Sequence, residues 1–214
     1  MRTKKDTLEI KRLFLEHFDK PITELQFSNI YELLVAVMLS AQCTDKRVNL
    51  ITPALFAEYP DVKSLASANL MSVKNLIKSC NFYNNKALNL IKMANSVMDD
   101  FAGEIPNTRD ELMSLAGVGQ KTANVVMIEY FGANLMAVDT HVFRVSNRLE
   151  LSNAKTPQKA EIDLTKAFKT ELNWLHQAMV LFGRYTCKAV KPQCDKCFLY
   201  ELCKSKDKVK KEEI

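Results

Sequence analysis

The sequence predicts an all-α protein, and three observations carry that expectation. Apolar residues recur at helical spacing in one segment after another. No stretch alternates apolar and polar residues long enough to demand a sheet. Turn-forming residues are scarce, with 5 glycines and 6 prolines in 214 residues. A chain of this length can bury a substantial core, as one domain or as two small ones.

The elements follow in order. Ile10, Leu13, Phe14 and Phe18 mark an amphipathic helix near the N-terminus, a pattern unlike the apolar core of a signal peptide. Asn29-x-x-Glu32 is a capping-box pattern that opens an apolar stretch through Leu39. Its strongly apolar part, Leu33 to Leu39, is far too short to span a bilayer. Val48, Ile51, Thr52 and Leu55 continue at helical spacing. Leu76 to Ile77, then Ala87 to Met98, read as further helices separated by Asn81 to Asn85. Thr108-x-x-Glu111 is a second capping box and starts a short helix ending near Leu115. The next helix runs from about Gln120 to Phe131 with Ala123, Val126, Met127 and Tyr130 on one face, and Gly132 is placed to stop it. Asp139 is a good N-cap for a helix carrying Val142, Val145 and Leu149. Lys204 to Ile214 reads as a solvated lysine-rich end. These patterns predict no membrane span and a cytoplasmic protein, where cysteines stay reduced and serve metals more often than disulfides.

Charge is uneven. The formal net charge is +5, and the segment from Arg184 to Ile214 alone holds nine Lys/Arg against five Asp/Glu. The same segment holds Cys187, Cys194, Cys197 and Cys203, spaced C-x6-C-x2-C-x5-C. Thiolates at such intervals hold a metal centre within one loop. Zinc sites more often split their ligands into two close pairs, and only one close pair exists here. Four thiolates around a cubic iron–sulfur cluster suit the layout at least as well, and spacing alone leaves zinc open. A metal would fix the loop backbone, so Lys188, Lys191 and Lys196 would form a rigid basic face suited to phosphates. Cys43 and Cys80 sit in apolar surroundings and read as small buried hydrophobes.

Two of the five glycines fall in Leu115-Ala-Gly-Val-Gly-Gln-Lys121, between two helices. Val118 would pack between those helices while the flanking amides point outward. N–H groups opening a helix form an anion site. An ordinary tight turn has the same local pattern, and no nucleotide-binding P-loop is present. Lys121 lies in the first turn of the following helix, where the positive dipole disfavours an ammonium, and a lysine made partly neutral can act as a nucleophile. Asp139 can face a site as well as cap a helix, although from spacing alone the cap explains it.

Together these segments resemble the endonuclease III family of DNA glycosylases, in the helix–hairpin–helix superfamily. The carriers are Leu39-Ser-Ala-Gln-Cys-Thr-Asp45, Phe82-Tyr83 with Lys86-Ala87, Gly117 to Val126, Val138 to Val145, Gly183 to Cys187 and the four-cysteine loop. The resemblance covers nearly the whole chain. It implies a six-helix domain over residues 22–133. A cluster domain would be built from residues 1–21 and 134–214, with DNA across the groove between the two. It implies a 4Fe–4S cluster on Cys187, Cys194, Cys197 and Cys203. It implies Lys121 as the nucleophile on C1′ of the damaged nucleotide and Asp139 as the carboxylate assisting base departure. Gln42 would enter the gap left by the flipped-out base. Further DNA contacts are implied for Gly117, Val118, Gly119, Thr122, His141, Arg144 and Lys191. The expected partner is double-stranded DNA with damaged bases or abasic sites, bound by a monomer in the cytoplasm. Three positions depart from the family pattern: Ala116 where Pro is usual, Asn81 where Gly is common, and Cys43 where Ala is frequent.

Overall fold

Eleven α-helices and one 3-10 turn make up the regular structure of the computed structural model over residues 2–209, and no strand occurs among these described residues. The helices are α1 Lys4–His17, α2 Ile30–Ser40, α3 Asp45–Glu58, α4 Val62–Ala66, α5 Leu70–Ile77, α6 Tyr83–Asp100, α7 Arg109–Ser114, α8 Gln120–Phe131, α9 Thr140–Arg148, α10 Pro157–Phe168 and α11 Leu172–Tyr185.

Most helix starts are local decisions. Thr3, Asn29, Thr44, Asp61, Asn69, Thr108, Asp139 and Thr156 each accept a backbone N–H of the first turn on their side chains. Both predicted capping boxes cap, but neither closes reciprocally. Glu32 accepts from the N–H of Ser28, one residue before the cap, at 2.7 Å. Glu111 accepts from the Thr108 hydroxyl at 2.6 Å instead of from its backbone. The complete box is at Asp61 and Ser64, opening α4. Two helices start differently. α6 follows Phe82 at φ 57 and α11 follows Glu171 at φ 60, with no side-chain cap on either. α6 therefore begins at Tyr83, inside the segment that the sequence reads as a separator. Gly132, at φ 65, stops α8 as expected.

The chain divides into two compact units. One is Glu24–Phe131; the other joins the described parts of Met1–Thr23 and Gly132–Ile214. In the first, α2 is apolar all round and enclosed from Leu33 to Leu39, with Leu33, Leu34, Val35, Ala36 and Leu39 at 0% exposure. It packs against α3, α6 and α8. This unit holds seven helical segments, α2 to α8, where the resemblance implies six. α8 is covered by both α2 and α7, so its buried side is wider than one stripe: Ala123, Asn124, Val125, Val126 and Ile128. Tyr130, expected on that face, is exposed instead.

In the second unit α1 packs on α10 and α11, and α9 on the same two helices. Ile10 and Phe14 enter a core with Val142, Val145, Leu164, Leu175, Phe182 and Leu199. Phe14 meets Phe182 and Phe198 edge-on at 5.4 and 5.5 Å. The Lys11 ammonium is buried there. It donates to the carbonyls of Phe168 and Thr170 and pairs with Glu171 at 2.8 Å, so it closes the C-terminal end of α10. Residues 204–209 are not a free tail. Asp207 pairs with Arg148 at 3.0 Å, and the Lys208 ammonium lies 3.8 Å from the Tyr200 ring centroid. Residues 210–214 lie outside the described residues.

Candidate functional site

The turn between α7 and α8 is built on two buried anchors, Leu115 and Val118, the N–H of Val118 donating to the Leu115 carbonyl at 3.1 Å. Gly117 is required twice. Its φ is +78, and a Cβ there would stand 2.9 Å from Cβ of Asn89 on α6. At Gly119 nothing lies within 4 Å of where a Cβ would stand, so the turn faces open space at that point. The Gly119 carbonyl accepts from Ala123 at 3.0 Å and begins the α8 ladder. Lys121 is the second residue of α8 and is exposed; Thr122 beside it is half-buried. An exposed amine thus sits at a helix start whose dipole is positive.

Gln42 occupies the turn between α2 and α3. It is exposed and left-handed, with φ 54. Three carbonyls of its loop are held by the segment that opens α6. The Asn81 amide donates to the Gln42 carbonyl at 2.7 Å, and the Lys86 ammonium donates to the carbonyls of Leu39 and Ala41, both at 2.7 Å. Burial lowers Lys86 below its ordinary range, against the pull of the nearby Cys80 and Cys43 sulfurs. Those sulfurs are 3.5 Å apart. Burial and the contact with Cys43 push Cys80 up to about 12. Phe82, left-handed and 61% exposed beside Asn81, is an outward aromatic to which the sequence assigned no role of its own.

In the other unit, Asp139 caps α9 by accepting the Val142 N–H at 2.7 Å and remains partly exposed. Arg144 is tied inward. Its Nη2 donates to the carbonyl of Gly183 at 2.7 Å and lies 3.3 Å from Nδ1 of His141, and its Nε donates to the carbonyl of Cys187 at 3.1 Å. Gly183 lets α9 come this close, since a Cβ there would meet Cβ of His141 at 2.9 Å. Arg148, one turn on, is the residue that sequence reasoning misses. Its guanidinium donates to the carbonyls of Lys188 and Ala189 and reaches Sγ of Cys187 at 3.5 Å. Nothing in the motif marks it, because its partners are about 40 residues away.

Cys187, Cys194, Cys197 and Cys203 are not in disulfides and line one open cavity. Leu149, Phe182 and Pro192 form apolar wall between them. No group of three or more His, Cys, Asp or Glu among the described residues converges closely enough to hold a metal ion. A single zinc needs sulfurs about 2.3 Å from one point. Four cysteines that line one cavity without three of them converging on a point fit a cage of several irons and sulfides better than one ion. Burial pushes Cys197 up to about 11, and Cys187 upward against the opposing charges of Arg148 and Arg144. A cationic centre in the cavity reverses that preference and lets the thiols ionise. Lys191 and Lys196 are exposed on this loop, Lys191 at φ 51, while Lys188 is half-buried.

Residues 35–170 match the HhH-GPD superfamily of base excision DNA repair proteins, and residues 187–203 match the iron–sulfur binding domain of endonuclease III. Endonuclease III of Haemophilus influenzae is 42% identical over 203 residues, covering 94% of this chain and 96% of that protein. Endonuclease III of Escherichia coli strain K12 shows the same identity and coverage. A solved structure of a trapped endonuclease III–DNA covalent intermediate superposes with a TM-score of 0.92 at 42% identity, over 95% of this chain and 97% of that one.

Proposed function

Because this chain belongs to the HhH-GPD base excision repair superfamily and, within it, to the endonuclease III proteins, we propose that Lys121 is the nucleophile of a combined base-removal and strand-cleavage reaction on damaged DNA. The enzyme is a DNA glycosylase and abasic-site lyase that binds DNA and carries an iron–sulfur cluster.

The observation that carries the role of Lys121 is its position: an exposed amine on the second residue of α8, directly after a turn that opens at Gly119. Backbone N–H groups at this helix start suit a phosphate, which brings the sugar of the same strand within reach of the amine. The amine attacks C1′, the damaged base leaves, and the opened sugar remains as a Schiff base on Lys121. Loss of a 2′ proton then breaks the strand on the 3′ side. Water as nucleophile would stop at the abasic site. Asp139 assists departure of the base by stabilising developing positive charge on the sugar. Gln42 enters the gap in the duplex, and the exposed Phe82 ring offers a neighbouring base an apolar surface. Gly117, Val118, Gly119 and Thr122 serve phosphates in the one unit, and Lys191, His141 and Arg144 are the DNA contacts of the other. Cys187, Cys194, Cys197 and Cys203 would hold the cluster as thiolates, and its cationic irons would tie their loop in place.

Flipping costs least for bases that have lost aromaticity and stack poorly. The preferred substrates are therefore ring-saturated or oxidised pyrimidines, such as thymine glycol and dihydrouracil, attacked by a monomer acting on chromosomal DNA in the cytoplasm. No described helix is long and apolar enough to cross a membrane. Borohydride tests the chemistry. It should trap wild-type enzyme covalently on a thymine glycol duplex, and Lys121→Ala should lose both the adduct and strand cleavage. Undiminished trapping in the variant puts the nucleophile elsewhere. A kcat/KM higher for 8-oxoguanine opposite cytosine than for thymine glycol overturns the lesion class alone.

A further inference from the structure

Gln42 must present its side chain to a gap that exists only while a nucleotide is flipped out, yet its backbone sits where L residues are strained. Its φ is 54, it is neither Gly nor Asn, and it is exposed. Within its own turn, the Cys43 N–H donates to the Ser40 carbonyl at 3.0 Å, which closes the turn without gripping Gln42 itself. The grip comes from elsewhere in the same unit. Lys86 holds the carbonyls of Leu39 and Ala41, and the Asn81 amide donates to the carbonyl of Gln42 at 2.7 Å.

Asn81 is not itself left-handed; its neighbour Phe82 is, at φ 57. An Asn at this position is therefore not explained by a demand for unusual backbone. Its side chain is exposed, so it is not explained by core packing either. What it does in the structure is bond Gln42. A glycine at this position would have no side-chain donor to offer.

We infer that Asn81 is a positioning residue for Gln42, holding the 42 carbonyl so that the Gln42 side chain is already aimed when the duplex opens. The inference rests on the gap-filling role of Gln42. Asn81 touches neither the reacting atoms nor Lys121 chemistry. It raises the fraction of free enzyme whose loop is ready, and apparent affinity scales with that fraction. One such hydrogen bond shifts a conformational equilibrium by roughly twofold to tenfold.

The test uses cluster-loaded full-length enzyme and a duplex bearing a reduced, uncleavable abasic-site analogue. Three variants are compared with wild type: Asn81→Ala, Gln42→Ala and the double variant. Asn81→Ala should weaken binding by about fivefold. It should raise KM for a thymine glycol duplex by a similar factor and leave single-turnover excision at saturating enzyme nearly unchanged. In the Gln42→Ala background the same substitution should cost nothing further, because the two residues act as one. Urea midpoints of wild type and Asn81→Ala should agree, which a merely structural role would not produce. If Gln42→Ala binds like wild type, the gap-filling role fails and this inference falls with it. If Gln42→Ala is impaired but Asn81→Ala is not, or if the two losses multiply, the positioning role of Asn81 alone is refuted.

Discussion

Replacing Asp139 by Asn separates its two roles. The Asp139 carboxylate accepts the Val142 N–H at 2.7 Å, so it caps α9. Asn caps about as well as Asp. What Asn gives up structurally is a negative charge at a helix N-terminus, about 0.5 kcal/mol at a partly exposed site. Ala gives up the hydrogen bond as well, for a total of about 1–2 kcal/mol. Neither loss unfolds a protein of ordinary stability. If capping were the only role, Asp139→Asn would turn over substrate within about twofold of wild type. If the carboxylate stabilises charge on the departing nucleotide, turnover falls by roughly 10²-fold or more, equivalent to about 2.7 kcal/mol of barrier. The two expectations are far enough apart to decide.

The assay is single-turnover release of thymine glycol at saturating enzyme, with urea unfolding and iron content measured on the same preparations. Thr156→Ala is the control. It removes the N-cap of α10, where Thr156 accepts from the Lys159 N–H at 3.4 Å, and should cost about 1 kcal/mol while leaving turnover unchanged. A folded, iron-replete Asp139→Asn with near-normal turnover would leave Asp139 only its cap.

Purified protein should carry about four irons per chain. Arg148→Ala should release that iron to a chelator about tenfold faster, read as decay of visible absorbance, because Arg148 pins the backbone of Lys188 and Ala189 beside Cys187; an unchanged rate refutes the clamp. Lys11→Ala should lower unfolding free energy by about 2–3 kcal/mol in urea, since it strands the Phe168 and Thr170 carbonyls. Lys11→Met keeps most of the hydrocarbon stem, so an undiminished loss there assigns the effect to hydrogen bonding, and no loss in either variant refutes the reading. With its thiol pushed up to about 12, Cys80 stays protonated at pH 8 and should react with iodoacetamide at least roughly 100-fold more slowly in folded than in unfolded protein. Slow labelling should persist until the pH approaches the folded value, and peptide mass spectrometry showing equal rates at pH 8 would refute it.

The sequence by itself determined whatever depends on neighbours three or four residues apart. The caps at Asn29, Thr108 and Asp139, the stop at Gly132 and the tight turn at Gly117 were readable because each is satisfied within one turn of backbone. The four cysteines were readable because a loop that holds a cluster must space its ligands closely. α10 carries a legible start in Thr156-Pro157 that periodicity alone passes over. Tertiary structure decided the rest. The left-handed Phe82, which starts α6 earlier than its pattern suggests, has no side-chain cap to announce it. Tyr130 faces outward because α2 and α7 together cover the other sides of α8. Asn81 reaches Gln42 across 39 residues, Arg148 grips the cysteine loop across about 40, and Lys11 closes α10 across 159. Such pairs meet only after the chain has folded back on itself. Their energy comes from satisfying buried or strained backbone carbonyls whose exposure no local pattern encodes.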